Sequence, residues 1–166
     1  MELIDLYDEK GNKINKTVDI KTKDEDLKKG EHIGISLIYI ENNENKFLVQ
    51  KTSKQKGNIY SMTSGHIRCN ETEKETIIRE VKEELNIDIS NDNIIYLGHI
   101  LVDFPVRFIF YLKKNININD VTLKKDEVEE VSYKTLDELK QIIKDGNMHK
   151  AHLDIINIIE KYYLTI

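Results

Sequence analysis

The segment EVKEEL, at positions 80–85, places three carboxylates within about one helical turn. If this segment is helical, each residue advances about 100°, so Glu80, Glu83 and Glu84 share an arc of roughly 100°. Three like charges on one face repel one another and reduce helix stability. A hard divalent cation such as Mg²⁺ would offset that repulsion, because it prefers oxygen ligands. The spacing therefore indicates either a metal site or a solvated acidic face.

The residues around these glutamates predict the helix that must carry them. Thr72 followed by Glu75 fits a capping box. Apolar residues then recur at helical spacing on one stripe: Ile77, Ile78, Val81 and Leu85. Asn86 tolerates the left-handed conformation that ends many helices. We therefore expect a helix from about residue 72 to residue 85.

The wider segment GHIRCNETEKETIIREVKEELNI, residues 65–87, resembles the Nudix box. The family pattern is G-x5-E-x7-R-E-U-x-E-E-x-G-U, in which U is aliphatic. Asn86 replaces the last glycine, and Ser64 stands where a glycine often precedes the first. Both departures affect turns, and the carboxylates are all retained. The match favours the metal site over the solvated face.

The resemblance implies a fold and a chemistry. Nudix proteins are α/β/α sandwiches with a central mixed β-sheet, an α/β (α+β) class. They hydrolyse a nucleoside diphosphate linked to another moiety, using Mg²⁺ or Mn²⁺. The resemblance implies that the metal ligands are the three box glutamates and the backbone carbonyl of Gly65. Glu80 or a neighbour would act as the base toward water.

The resemblance assigns further residues around this centre. Arg79 belongs to the catalytic motif and is expected to pair with Glu71, fixing the loop to the helix. Many relatives add a glutamate from a later loop, for which Glu127 is our choice and Glu130 the alternative. Several side chains are candidates for contacts to substrate, although each is equally compatible with a surface or core position: Lys51, His66, Arg68, Phe104 and Arg107.

Two alternatives to hydrolysis have to be weighed. The N-terminal half is similar to isopentenyl diphosphate isomerases in the segments ELIDLYDEKGNKINKT and FLVQKTSKQKGNIYSMTSGHI. Those enzymes need a cysteine immediately before the glycine-histidine pair, where this chain has Ser64, and Cys69 lies five residues later. A serine cannot supply an acid of comparable pKa. A non-catalytic Nudix sensor that binds a nucleotide is the other alternative, but such domains tend to lose box glutamates.

The remaining pattern predicts the elements that position the site. The segment 32–40, HIGISLIYI, is typical of a central strand buried on both faces. Other strands are expected at 2–7, 13–20, 46–51, 93–102, 106–112 and 127–133, an exposed basic loop at 53–58, and helices at 135–146 and 152–164. We expect one domain over 1–166, with N-terminal strands within 1–31 and C-terminal helices within 135–164. His149 and His152 lack a third ligand nearby and are interpreted as part of a helix start.

Composition limits the function classes. The net charge of −5 provides no basic patch for a nucleic acid polymer. The single cysteine cannot form an internal disulfide, and neither a signal peptide nor a membrane span is apparent. We therefore expect a cytoplasmic protein that acts on a small-molecule diphosphate. Its wealth of Ile, Lys and Asn is typical of a bacterium with AT-rich DNA, and a homodimer is compatible with the family.

Overall fold

The computed structural model describes all 166 residues, which form one nine-stranded mixed sheet with three α-helices. The strands are β1 (Leu3–Tyr7), β2 (Lys13–Asp19), β3 (His32–Glu41), β4 (Phe47–Thr52), β5 (Tyr60–Ser61), β6 (Ser64–His66), β7 (Ile95–Leu101), β8 (Val106–Lys113) and β9 (Val128–Lys134). The helices are α1 (Glu73–Leu85), α2 (Leu136–Lys144) and α3 (Ala151–Tyr163). None of the helices is both long and apolar enough to cross a bilayer.

Strand β3 is the central strand of the sheet and pairs along both of its edges. Along one edge it pairs in parallel with β8, from Gly34 opposite Val106 to Glu41 opposite Lys113. Its other edge is shared by three antiparallel partners, which are β1, β6 and β4 in order along the strand. Its β-branched sequence suits this position, because a central strand buried on both faces has little need for polar alternation.

Two apolar layers cover the two faces of the sheet. On one face, α1 packs on β3 and β8 through Ile77, Val81 and Leu85. On the other face, α2 and α3 pack through a second apolar set: Leu139, Ile143, Ile155, Ile156 and Ile159. The prediction of an α/β/α sandwich with a central mixed sheet is therefore confirmed.

Most predicted elements lie within a few residues of their expected bounds, and the differences have local causes. The short strands β5 and β6 were not expected, because their sequences have little strand character and are extended by pairing with β4 and β3. The segment predicted as an exposed loop at 53–58 contains a 3-10 turn at Lys54–Lys56. Helix α2 ends at Lys144, before Gly146, which adopts a φ of 80°. The division into a single domain stays a prediction.

His152 is a structural residue of the α3 layer. The residue is 8% exposed, and its Nδ1 shares a hydrogen bond of 2.7 Å with the hydroxyl of the fully buried Tyr39. Burial, together with the charges of Arg107 and His149, lowers the pKa of His152 to about 3. The imidazole is therefore neutral in the folded protein at ordinary pH, which agrees with a helix-start role.

This depressed pKa predicts a loss of stability in acid. The unfolded chain binds the proton at the ordinary histidine pKa of about 6.5, so the contribution of His152 is complete above that pH and falls as the pH decreases toward about 3. Urea unfolding of wild type should show about 1 kcal/mol of extra loss per pH unit between about pH 4 and pH 6, relative to His152→Gln. Exposed His99 supplies the control variant His99→Gln, which should keep the wild-type slope. Equal slopes in wild type and His152→Gln would contradict the assignment.

Candidate active site

The candidate site is a cleft of about 550 Å³ where the sheet meets α1, the N-terminal hairpin and the loop before β9. Its lining is mostly polar. It brings together most of the site residues selected from the sequence: Gly65, His66, Arg68, Glu80, Glu83, Glu84 and Glu127.

Caps at both ends fix the helix that carries the glutamates. The Thr72 hydroxyl accepts the N–H of Glu75, and the Glu75 carboxylate accepts the N–H of Thr72, which completes the predicted capping box. Asn86 ends the helix in the left-handed conformation, with a φ of 58°. Because the apolar stripe of α1 is buried against the sheet, the neighbouring arc of carboxylates faces the cleft.

Arg79 joins the box loop to the helix beneath the cleft. Its Nε and Nη2 donate to the two carboxylate oxygens of Glu71 at 2.7 and 2.9 Å. Nη2 also donates to the carbonyl of His66 at 3.1 Å. Nη1 donates to Glu80 at 2.7 Å and to Glu83 at 3.3 Å. One guanidinium therefore holds two of the box carboxylates and two points of the preceding loop.

Glu71 is the anchor of this arrangement. Burial works to raise the pKa of Glu71, but hydrogen bonds from Arg79, from the Thr76 hydroxyl and from the Arg68 N–H outweigh it and lower the pKa to about 2. The Thr76 hydroxyl donates at 2.6 Å. Glu71 is therefore ionised throughout the physiological range, and it lies outside the lining of the cleft.

The pKa values of the partly buried Glu80 and the buried Glu84 are both raised. Burial raises the pKa of Glu84 to about 8; a hydrogen bond from Gln50 opposes this shift, and the charges of Glu80 and Glu127 reinforce it. Burial also raises the pKa of Glu80, against the charge and hydrogen bond of Arg79. Burial is the main cause at both positions, and the charges of nearby carboxylates add to it.

Gln50 positions the Glu84 carboxylate. Its Nε2 donates to Glu84 Oε2 at 3.0 Å, while the Thr63 hydroxyl donates to its Oε1. All three side chains are buried. Because the Thr63 hydroxyl occupies the oxygen of the amide, the NH₂ group is directed at the carboxylate.

Gly65 lies directly against Glu80. A Cβ atom at position 65 would overlap the carboxylate and Cγ of Glu80. The backbone of β6 therefore approaches the carboxylate more closely than any residue with a side chain would allow. This packing contact explains why the first residue of the motif is a glycine. The backbone φ of Gly65 does not require one.

The rim of the cleft carries cations that are engaged with carboxylates. Arg68 Nε lies 2.6 Å from Glu2 Oε1, and its Nη1 lies 3.8 Å from Glu83 Oε1. Lys124 Nζ lies 3.1 Å from Glu127 Oε1. These side chains are all substantially exposed, so they are free to exchange partners when an anion enters.

The family of the chain follows from its match to a known family model. Residues 30–156 match the NUDIX domain model, which covers most of the chain. The chain belongs to the Nudix family. An uncharacterized Nudix hydrolase of Listeria innocua is 30% identical over 152 residues, which are 88% of this chain and 87% of that protein. The chain is accordingly an enzyme, a hydrolase of the pyrophosphohydrolase type.

Solved structures agree on the fold. A protein of Deinococcus radiodurans superposes with a TM-score of 0.74 at 17% identity, over 88% of this chain and 91% of that one. The Nudix domain of NrtR from Shewanella oneidensis, solved with ADP-ribose, gives a TM-score of 0.65 at 14% identity, over 86% of this chain and 94% of that one.

The side chains of the Nudix box do not close around a common point in this structure. No group of three or more acidic, histidine or cysteine side chains is arranged to hold a metal ion, because Glu80 and Glu83 turn toward Arg79 while Glu84 turns toward Gln50. The ligand set inferred from the resemblance therefore stays a prediction. Glu127 lines the cleft and Glu130 does not, so the structure favours Glu127 as the additional glutamate.

Three selected substrate contacts lie away from the cleft. Lys51 stands between Gln50 and Thr52, both of which line the cleft. Successive side chains of a strand point to opposite faces, so Lys51 lies instead over the ring of Tyr60, 5.6 Å from its centroid. The other two residues, Phe104 and Arg107, lie near the β7–β8 turn, where Arg107 Nη1 donates to the carbonyl of Val102 at 2.7 Å.

Several cleft residues were missed from the sequence: Glu2, Gln50, Thr52, Lys56 and Lys124. A polar residue inside the apolar strand FLVQK was the available signal for Gln50, because buried polar groups normally have a specific partner. Glu2, Lys56 and Lys124 come from segments distant in sequence, and no local pattern distinguishes them from other surface charges.

The geometry around Arg79 predicts that lysine cannot replace it. Arg79→Lys keeps the charge but loses the two-point contact with Glu71 and the bond to the His66 carbonyl. The free energy of unfolding should fall by about 2 kcal/mol, as measured by urea unfolding in EDTA. The control is Lys140→Met, which removes the exposed pair with Glu160 at 2.8 Å and should cost less than about 1 kcal/mol. Equal losses would show that Arg79 is an ordinary surface cation.

Proposed function

We propose that this Nudix hydrolase cleaves the diphosphate linkage of a nucleoside diphosphate joined to another moiety, with Mg²⁺ or Mn²⁺ as cofactor. The observation that supports this proposal is the shared cleft, in which the three box glutamates meet Gly65 and Glu127. These groups come from α1, β6 and the loop before β9, so the cleft that they line depends on the packing of all three segments.

The donor groups of the cleft fit a hard divalent cation. Glu80, Glu83, Glu84 and Glu127 provide carboxylate oxygens, and Gly65 provides a backbone carbonyl, which are the ligand types that Mg²⁺ and Mn²⁺ prefer. The raised pKa values of Glu80 and Glu84 support this proposal, because a bound cation would offset the cost of burying the two carboxylates. A bound cation would neutralise diphosphate oxygens and favour ionisation of the attacking water.

Other roles in the proposed reaction are binding the phosphates, accepting the proton and positioning the carboxylates. The cations that line the cleft, Lys56, Arg68 and Lys124, bind phosphate oxygens. For Arg68 and Lys124, these oxygens replace the carboxylates of Glu2 and Glu127. Glu80 or a neighbouring box glutamate accepts a proton from the attacking water. Arg79 acts as a positioning residue through its bonds to Glu80 and Glu71.

The groups on either side of the diphosphate remain to be determined by experiment. The structural neighbour from Shewanella oneidensis binds ADP-ribose, which supports testing ADP-ribose first. Other candidates are nucleoside triphosphates, dinucleoside polyphosphates and isoprenoid diphosphates. Isomerase chemistry has less support, because Ser64 lines the cleft and Cys69 does not.

A substrate panel tests the activity. Each candidate would be incubated with Mg²⁺, Mn²⁺ or EDTA, and the enzyme would then be removed by filtration and excess Mg²⁺ and Zn²⁺ restored. Phosphate would be measured in the filtrate with pyrophosphatase, or with alkaline phosphatase for substrates without a terminal phosphate. Isopentenyl diphosphate would also be examined for its isomer. Metal-dependent release of products supports the proposal. Metal-dependent binding without turnover across the panel would indicate a sensor, and isomerisation without hydrolysis would indicate the isomerase alternative.

Loss of a box carboxylate should abolish turnover and leave the fold intact. We expect Glu83→Gln or Glu84→Gln to lower kcat by at least about 100-fold, because each removes negative charge from the proposed metal site. Mg²⁺ should raise the Tm of the wild type and have a smaller effect on either variant. Glu129→Gln, on the exposed side of β9, is the matched control. Wild-type turnover in Glu84→Gln would refute the metal assignment.

The contact between Gly65 and Glu80 predicts a coupled loss. Gly65→Ala must displace the Glu80 carboxylate, so kcat should fall by at least about tenfold. If this loss acts through Glu80, adding Gly65→Ala to Glu80→Ala should cost little more, and a double-mutant cycle measures the difference. Fully additive losses would show that position 65 acts independently of Glu80.

A further inference from the structure

A second pocket, of about 430 Å³, lies at the other end of β3. It is formed where the ends of β3 and β8 meet the last turn of α3. Glu41, which lines it, is five residues along β3 from Ser36, the partner of Gly65. At about 3.3 Å per residue, the two positions are roughly 16 Å apart. The pocket is therefore separate from the catalytic cleft.

The pocket has a buried carboxylate with one weakly paired oxygen. Glu41 is 1% exposed, and its Oε1 accepts hydrogen bonds of 2.7 Å from the hydroxyls of both Tyr111 and Tyr163. Its Oε2 has a single charged neighbour, Lys113 Nζ at 3.6 Å, which is beyond hydrogen-bond distance. The side chain of Lys113 is 46% exposed. A buried carboxylate is costly without a close cation, and Lys113 compensates it from a distance.

The walls of this pocket suit the carbon chain of an organic cation. The ring of Tyr162 packs on that of Tyr111 with centroids 5.2 Å apart, and Ile95 adds an apolar side chain. Aromatic faces attract cations, and the polar residue Asn93 is also part of the lining. A primary ammonium matches these groups, since it has three N–H donors on an aliphatic stem.

We propose that this pocket binds a primary alkylamine, whose ammonium group contacts Glu41 Oε2 more closely than Lys113 Nζ does. The bond to Oε2 supplies the close cation that the buried carboxylate lacks, and the stem lies against Tyr162 and Ile95. This binding is independent of the proposed hydrolysis.

A purely structural role for Glu41 requires its acceptor oxygen and does not require its negative charge. The two tyrosine hydroxyls join α3 and β8 to the end of β3, and this clamp needs only an acceptor oxygen. Glu41→Gln keeps that oxygen and removes the charge. The clamp should therefore survive in the variant, whereas binding of an ammonium ion should be lost.

The experiment is a titration with butylamine, followed by NMR of the protein with ¹³C-labelled tyrosine rings, at constant ionic strength. Tetramethylammonium, which has no N–H donor, is the control ligand. We expect saturable shifts of the Tyr162 signal in wild type, at least about threefold tighter binding in Lys113→Met, and at least about tenfold weaker binding in Glu41→Gln. Lys114→Met, which removes a neighbouring lysine paired with Asp92, should bind as wild type does.

The outcomes separate the proposal from its alternatives. An unchanged Tyr162 signal in Lys113→Met at about 50 mM butylamine would overturn it, as would equal binding in Glu41→Gln. If Glu41→Gln does not fold, the comparison of Lys113→Met with Lys114→Met decides, because only the first removes the competing cation. Butylamine binding should be unchanged in Glu84→Gln, so failure of the proposed hydrolysis leaves this test intact.

Discussion

The guanidinium of Arg79 is the charge on which the acidic wall of the cleft depends. Its nitrogens bind the loop through Glu71 and the carbonyl of His66, and bind the helix through Glu80 and Glu83. Without that cation, partly buried carboxylates at this spacing would separate or take up protons. The arginine thus offsets the repulsion among the carboxylates in the folded chain. The same side chain also fixes the loop against helix α1.

A second line of contacts reaches the same wall from the sheet. The Thr63 hydroxyl donates to Gln50, whose NH₂ group donates to Glu84. Each donor sets the orientation of the next group, so the carboxylate is held by strand residues as well as by its own helix. Carboxylates from a helix and donors from strands are positioned more rigidly than groups on loops would be. Glu127, by contrast, comes from a loop and is more free to adjust.

The sequence predicted the parts of the site that depend on local periodicity. The caps at Thr72 and Asn86 and the arc of glutamates follow from helical spacing, and the structure contains each of them. The face of a strand was harder to predict, because it depends on register: Gln50 lines the cleft, whereas Lys51, selected for its charge, lies over Tyr60. Strand β6 was missed for a related reason, since its extended form results from the free edge of β3 and not from strand propensity.

The packing of the N-terminal hairpin and of α3 shows that the segment recognised by similarity is smaller than the unit that folds. The family match covers residues 30–156, yet the ring of Tyr7 occupies the space that a side chain at Gly34 would need. At the other end, Ile159 is fully buried and Tyr163 bonds to Glu41. A fragment cut at the similarity boundaries would leave β3 without β1 and expose apolar surface on both layers. The match to the family model and the packing of the fold thus have different limits along this chain.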